Sequence, residues 1–309
     1  MTKKYVLHKL KWLVLLGTLS FLVYKLVIFD QYDAFFAYFG QSVPERYFWL
    51  AIAFLLLPLN LLFETIKWKK IVEHSEHVSL KNAFKSVLAG FFTGFATPNR
   101  IGEMGGRMLF VRPENRKIAA VYSLLNSFTQ NYCIALLGLP AAVLYFLVLE
   151  GNIVLFQPVY FVSIAVFVII FTGLYIYLPE IVFLFNKNNK LMQYSAIANY
   201  KKSDLLIIAF YSVLRFLVFS IQFFVVLQFF GVHLTWSEAA ISIPVSYLFV
   251  TFTPSLAFSE VAIRSSYAVL FIGVFSDNTA GIAFAGFALW LLNFVLPMLA
   301  GARLVANTK

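Results

Sequence analysis

Charge is what this chain of 309 residues has least of. Asp, Glu, Lys and Arg together make up 12% of it, about half the share of an ordinary soluble domain. Four stretches hold none at all: residues 118 to 149, 151 to 179, 216 to 237 and 278 to 302. Each exceeds the roughly 20 residues a helix needs to cross hydrocarbon, which excludes a soluble globular fold. The alternation in segments of about 10 residues that marks a membrane β-barrel is also lacking. The single cysteine, Cys133, lies inside an apolar run, so a disulfide framework and a cysteine metal site are both excluded. There is no P-loop, which leaves ATP hydrolysis unsupported. There is no HExxH either, and His74 and His77 with Glu73 and Glu76 read as a solvated, charged loop. No cofactor and no metal are expected.

What is present is a polytopic α-helical membrane chain. Its net charge of +10 would suit nucleic acid, but the basic residues sit in loops that flank apolar spans, where cytoplasmic loops meet anionic lipid. Nucleic acid is therefore not an expected partner; membrane phospholipids are. Lys3, Lys4, Lys9 and Lys11 precede an apolar segment from Trp12 to Phe29 with no small-x-small cleavage pattern at its end, so it reads as a retained first helix.

Apolar length predicts helices at about 12–29, 47–66 and 118–149 in one half, and at 153–178, 204–231 and 278–303 in the other. Between them lie two irregular segments, 80–111 and 236–272, each following an N-cap candidate, Ser79 or Thr235. Thr235 with Glu238 has the spacing of a capping box. Lys85 to Pro98 is too short to span, and the stretch that follows is too polar to face lipid. A re-entrant hairpin resolves both, since broken backbone is tolerated at membrane depth only where protein or water surrounds it. With both segments as hairpins and the N-terminus inside, 18 of the 24 basic residues fall in cytoplasmic loops and tails, as the positive-inside rule requires. Three crossings per half then turn the second half upside down. The expected fold is an all-α integral membrane protein with six transmembrane helices and two re-entrant helical hairpins. These form two inverted-topology repeats, about 12–149 and 153–305, within one membrane domain spanning 1–309. Both termini are placed in the cytoplasm and the chain in the plasma (inner) membrane.

A motif occurs twice. Thr97-Pro98 is followed by Glu103 and Arg107, and Thr253-Pro254 by Glu260 and Arg264, about 157 residues later. A proline at 140 or 297 follows each Glu by 37 residues. Intramembrane Glu and Arg are costly and mark function by default. Placed four apart on a helix, each pair shares a face and can bond, so a structural ion pair stands beside the functional reading. Two copies beside proline-broken tips, Pro98 and Pro254, point to a substrate site between two repeats. Asn99 and Arg100 adjoin the first tip, and Arg100 suits a phosphate. Gly102, Gly105 and Gly106 would let the backbone approach an anion at a helix N-terminus, or only let helices pack. Arg215, about three turns into its helix, needs a partner: a lipid path and a structural pairing are both open. Glu64 is expected at the inner interface beside Lys67 and Trp68. Asn126, Gln130 and Asn131 form a polar patch suited to bonding neighbouring helices.

TPNRIGEMGGRMLFVR, the later TPSLAFSEVAIR and the last span ending LPMLAGARLV resemble the flippase-like transmembrane domain of lysylphosphatidylglycerol synthases, from about Trp12 to Val305. The resemblance implies movement of a phospholipid head group, anionic or aminoacylated, between leaflets. The substrate-binding candidates, read from the motif and the residue chemistry, are Asn99, Arg100, Glu103, Arg107, Glu260 and Arg264, with Arg215 added from its position; Glu260 also matches the family by position. Before Glu260 the glycine-rich loop of the family is replaced by Ser255, Leu256, Ala257, Phe258 and Ser259, which removes a backbone anion nest there. Those synthases carry a soluble aminoacyltransferase domain after the membrane domain. This chain stops at Lys309, so the expectation is a protein that is not itself an enzyme. Two other readings stay open. One is a membrane enzyme using a lipid-phosphate substrate, with Asp30 and Asp33 as its acids. The other is an accessory subunit that hands lipid to a separate lipid-modifying enzyme.

Overall fold

A computed structural model of the chain describes residues 16–17, 19–40, 44–95, 97–149, 158–185, 195–255 and 257–306. All regular structure among these residues is helical. The first apolar segment is helical over 19–27, which we call α1; residues 12–15 and 18 of the expected first helix lie outside the described part. A short helix α2 (Tyr32–Gly40) leads to the long α3 (Pro44–Val72). Helix α3 opens on a proline, which suits a first turn because the missing N–H has no partner there anyway. It ends on Lys69 and Lys70, favourable at the negative end of the helix dipole.

Then come α4 (Leu80–Phe95), a tight turn Pro98–Arg100, and the six-residue α5 (Glu103–Met108). The 34-residue α6 (Arg116–Leu149) closes the first half. The second half contains α7 (Pro158–Ile176), α8 (Leu178–Phe185), α9 (Ser195–Ala198), α10 (Lys202–Phe229), α11 (Trp236–Phe252) and α12 (Ala257–Ile272). It ends in α13 (Thr279–Trp290), a π turn Leu291–Val295, and α14 (Leu296–Ala306).

Among the described residues, five helical stretches are long and apolar enough to cross a membrane: Pro44–Val72, Pro113–Leu149, Pro158–Ile176, Lys202–Phe229 and Thr279–Ala306. The outward side chains of α7, including Val162, Val166, Ile169 and Ile170, are exposed, as expected where the solvent is lipid. The order long helix, helical hairpin, long helix occurs in each half: α3, α4–α5, α6 and then α10, α11–α12, α13–α14. The long helices α3 and α10 pack along each other at the centre. Around them α4 packs on α14, and α11 packs on α6. Small residues permit the close crossings. A Cβ on Gly301 would strike the Leu88 carbonyl, and one on Gly138 would sit 2.9 Å from the Leu248 Cβ.

Residues 30–46 were expected to form an outer loop. Instead α2 forms there, because Tyr32, Phe35, Phe36 and Phe39 share one helix face. Phe35 stacks on Phe284 at 5.5 Å. The Arg46 guanidinium lies 4.0 Å above the Tyr38 ring and donates to the Tyr38 carbonyl. Asp30 and Asp33 are exposed and do not line the cavity described next.

Candidate functional site

The first hairpin is pinned by two threonines. The Thr93 hydroxyl donates to the Gly102 carbonyl at 2.7 Å and accepts from the Gly106 N–H at 3.0 Å. The Thr97 hydroxyl accepts from the Gly102 N–H at 2.7 Å. A Cβ on Gly106 would strike the Ala89 carbonyl, and one on Gly102 the Thr93 carbonyl. Of the two readings left open for these glycines, packing describes Gly102 and Gly106. The N–H groups of Gly102 and Gly106 are occupied by threonine oxygens, and these two glycines serve the seam between α4 and α5. Among the glycines of this hairpin, only Gly105 has nothing within 4 Å of a Cβ position.

At the tip, Asn99 and Arg100 adopt positive φ of 51° and 58°. Asparagine tolerates this region; for Arg100 it stores on the order of 1–2 kcal/mol. The conformation is held across the halves. The Asn99 N–H donates to the Ser255 carbonyl at 3.0 Å, and the Ser255 N–H donates to the Asn99 Oδ1 at 2.9 Å. The two hairpin tips thus touch directly.

The expected i, i+4 pair of the first hairpin forms and is widened into a network. Arg107 Nη2 donates to Glu103 Oε2 at 3.4 Å and, at 2.6 Å, to Glu64 Oε1. Glu103 is paired with Arg100 as well, at 2.6 Å. Arg100 also lies over the rings of Phe294 and Phe91, at 4.4 and 5.0 Å. On the second hairpin the expected pairing holds: Arg264 donates from Nε and Nη2 to Glu260 Oε1 at 3.0 and 2.6 Å.

Glu64 is the residue whose place at the centre of the site sequence reasoning missed. It is 1% exposed, walled in by protein. One oxygen accepts from Arg107 and, at 2.9 Å, from Asn126; the other accepts from Arg215 and Lys67, each at 2.9 Å. Arg215 completes its binding through Nε to Asn60 Oδ1 at 2.9 Å. Lys67, fully buried, donates to Gln130 at 3.1 Å. The signal available in sequence was an acid and a lysine three apart inside an otherwise apolar stretch of α3. Nearness to the helix end argued for snorkelling, and only tertiary packing reverses that. In the polar patch of α6, Asn126 and Gln130 do bond neighbouring helices, as expected: Asn126 donates to Glu64, and Gln130 accepts from Lys67 and donates to the Ser212 carbonyl. Asn293, in the π turn, donates to Gln222 at 2.6 Å, a local widening of the helix that recurs at functional sites.

All of this encloses one cavity of about 380 Å³. Asn99, Arg100, Glu103 and Arg107 line it from the first hairpin, and Pro254, Glu260 and Arg264 from the second. Arg215 and Glu64 close it from the central helices. Every substrate-binding residue expected from sequence reaches this cavity, while Pro98 begins the turn that carries Asn99 and Arg100. Several buried polar atoms in the wall lack hydrogen-bond partners among the described residues: Arg107 Nε and Nη1, Arg100 Nε and Glu260 Oε2. Such atoms are costly unless something satisfies them. The arrangement can hold a charged group several ångströms across, within a bundle whose outer surface is apolar. No group of three or more potential metal ligands occurs among the described residues.

Residues 12–301 match a family described as "Lysylphosphatidylglycerol synthase TM region". No curated protein and no solved structure matches the chain.

Proposed function

The chain belongs to the family of lysylphosphatidylglycerol synthase TM regions, a membrane domain of the flippase-like type, and we propose that it moves a phospholipid head group between the leaflets. The observation that carries the reading is the convergence of both hairpins. Their charged residues, 157 apart in sequence, line one cavity, and their tips hydrogen-bond to each other. A polar path for a head group needs charges sequestered from lipid yet reachable, and broken helices meeting inside a bundle supply that arrangement. In this reading six crossings and two re-entrant hairpins form inverted repeats, both termini face the cytoplasm, and the hairpins enter from opposite sides. In this reading the membrane domain acts as a carrier.

Two experiments test it. Purified protein in vesicles containing a short-chain fluorescent phosphatidylglycerol should make the inner-leaflet probe accessible to an external quencher. A rate equal to that of empty vesicles would remove the reading. For topology, single cysteines at Asp33 and Ser203 in a Cys133→Ala background should label from outside and only after permeabilisation, respectively. External labelling of Ser203 would sink the inverted arrangement.

A further inference from the structure

The cavity wall carries more positive than negative charge. Arg100, Arg107, Arg215 and Arg264 face it, against Glu64, Glu103 and Glu260. Lys67 stands behind Glu64, fully buried. Glu64 cannot absorb this surplus. A carboxylate offers about four acceptor positions, and Glu64 already accepts from Arg107, Asn126, Arg215 and Lys67. Arg107, only 3% exposed, still has Nε and Nη1 unpaired. The wall is therefore an oxyanion seat with donors to spare, in which Glu64 occupies one place.

We infer that the site selects a phosphate head group of net negative charge and rejects an aminoacylated, net-cationic one, with Glu64 as the built-in counter-ion that holds Arg107 and Arg215 poised until the lipid phosphate shares them. This rests on the translocation reading and narrows it. A phosphate brings acceptor oxygens to the spare Arg107 donors, the geometry in which guanidinium recognition is strongest. An ammonium group entering the same space would meet four guanidiniums, and like-charge juxtaposition of that kind works against binding. The unpaired carboxylate oxygen in the wall, Glu260 Oε2, already has Arg264 at 2.6 Å from its sister oxygen, and the other unpaired acceptors there, Asn126 Oδ1 and Tyr247 OH, are neutral. A hydroxyl donor on the head group satisfies Glu260 Oε2 without adding a fifth cation.

The test uses the full chain in mild detergent, titrated with phosphatidylglycerol or with its lysyl ester and read by thermal unfolding and tryptophan quenching. Phosphatidylglycerol should bind at least about tenfold more tightly than the lysyl ester. Glu64→Gln should lower the unfolding temperature of the lipid-free protein yet strengthen phosphatidylglycerol binding several-fold, because the phosphate no longer shares its cations. A Glu64 that is merely structural would lower both. Should Glu64→Gln fail to fold, Lys67→Gln reads the same balance from the other side. It removes a surplus cation, so phosphatidylglycerol binding should weaken and discrimination against the lysyl ester should narrow. Equal binding of the two lipids, or binding of neither, overturns the inference. Equal binding with rapid transfer in vesicles would leave the translocation reading standing, whereas absence of transfer for any lipid removes that reading itself.

Discussion

The two hairpins carry the same Thr-Pro tip and the same Glu and Arg, yet they are held in opposite ways. In the first, Arg107 reaches out of its hairpin to Glu64 on α3, at 2.6 Å, and through that carboxylate it is linked to Arg215 on α10. In the second, Arg264 turns back onto Glu260 of its own helix, also at 2.6 Å. One pair is part of a network that joins the two halves of the chain. The other neutralises itself. Sequence identity of a motif therefore does not establish identity of role, because the counter-ion comes from wherever packing places one. The hub has no counterpart in the other half: one repeat length after Glu64 the chain has Ile221, and one repeat length before Arg215 it has Pro58. The asymmetry is built on the central helices, not on the hairpins.

The largest expected effect breaks the network. Glu64→Gln removes the anion shared by three cations and should cost about 3–5 kcal/mol, the range for stranding a buried charge. Thermal unfolding in detergent measures it. No loss of stability would mean the three cations are compensated from elsewhere.

Next come the two arginines, compared with each other. Arg264→Gln leaves the buried Glu260 without its partner and should cost about 3 kcal/mol. Glu260→Gln with Arg264→Gln removes both charges, keeps an amide oxygen facing the cavity, and should recover most of that stability and most of the transfer rate. Arg107→Gln behaves otherwise. Glu64 keeps Lys67, Arg215 and Asn126, so the stability loss should be only about 1–2 kcal/mol, while transfer is lost because the spare donors are gone. Glu103→Gln with Arg107→Gln should likewise fold and fail to transfer. If the Arg107 variants transfer at the native rate and the double variant of the second hairpin does not, the comparison is inverted and the second hairpin holds the lipid.

The tip contact is smaller still. Asn99→Gly keeps the positive φ but deletes the side-chain bond to the Ser255 N–H, worth about 1 kcal/mol. Cysteines at Asn99 and Ser255, in a Cys133→Ala background, should crosslink readily. Failure to do so in folded protein would mean the tips separate in the membrane.

Much of this was legible in the sequence, for identifiable reasons. Long charge-free runs marked α6, α7, α10 and the α13–α14 span, because hydrocarbon permits few other readings. The capping box at Thr235 and Glu238 forms as expected, with the Glu238 N–H donating to Thr235 Oγ1 at 3.3 Å. The duplicated motif and the two residues beside its first tip led to six residues that line the cavity, and Arg215, singled out by its depth in its helix, lines it as well. Local spacing could not show partners on other helices. Glu103 and Arg107, four apart, do pair at 3.4 Å, but a buried carboxylate on α3 takes the same arginine at 2.6 Å and Glu103 also reaches Arg100. Glu64 lies two turns from the end of α3, a position from which a side chain often reaches the interface. The packing of α6 and α10 across it removes that route. Helix α2 was missed because nine residues are too few for periodicity to stand out beside Asp30 and Asp33.

The smallest effect settles what the glycines of the first hairpin are for. Gly105 and Gly106 are neighbours in α5 with different surroundings. Gly106 faces α4, where a Cβ would strike the Ala89 carbonyl, whereas a Cβ on Gly105 would meet nothing within 4 Å. Gly106→Ala must push the arms of the hairpin apart and should destabilise the protein by about 1–3 kcal/mol. Gly105→Ala meets no obstacle, and alanine is the better helix former by up to about 1 kcal/mol. It should leave stability unchanged or slightly raised, with transfer at the native rate, because head-group recognition is assigned to the arginine side chains and not to the backbone of α5. The outcome that would overturn this assignment is a Gly105→Ala protein that unfolds at the native temperature or above and has lost transfer. An alanine methyl that blocks activity without disturbing the fold would place the lipid phosphate against the α5 backbone, and the first hairpin would then act through its peptide groups as well as its charges.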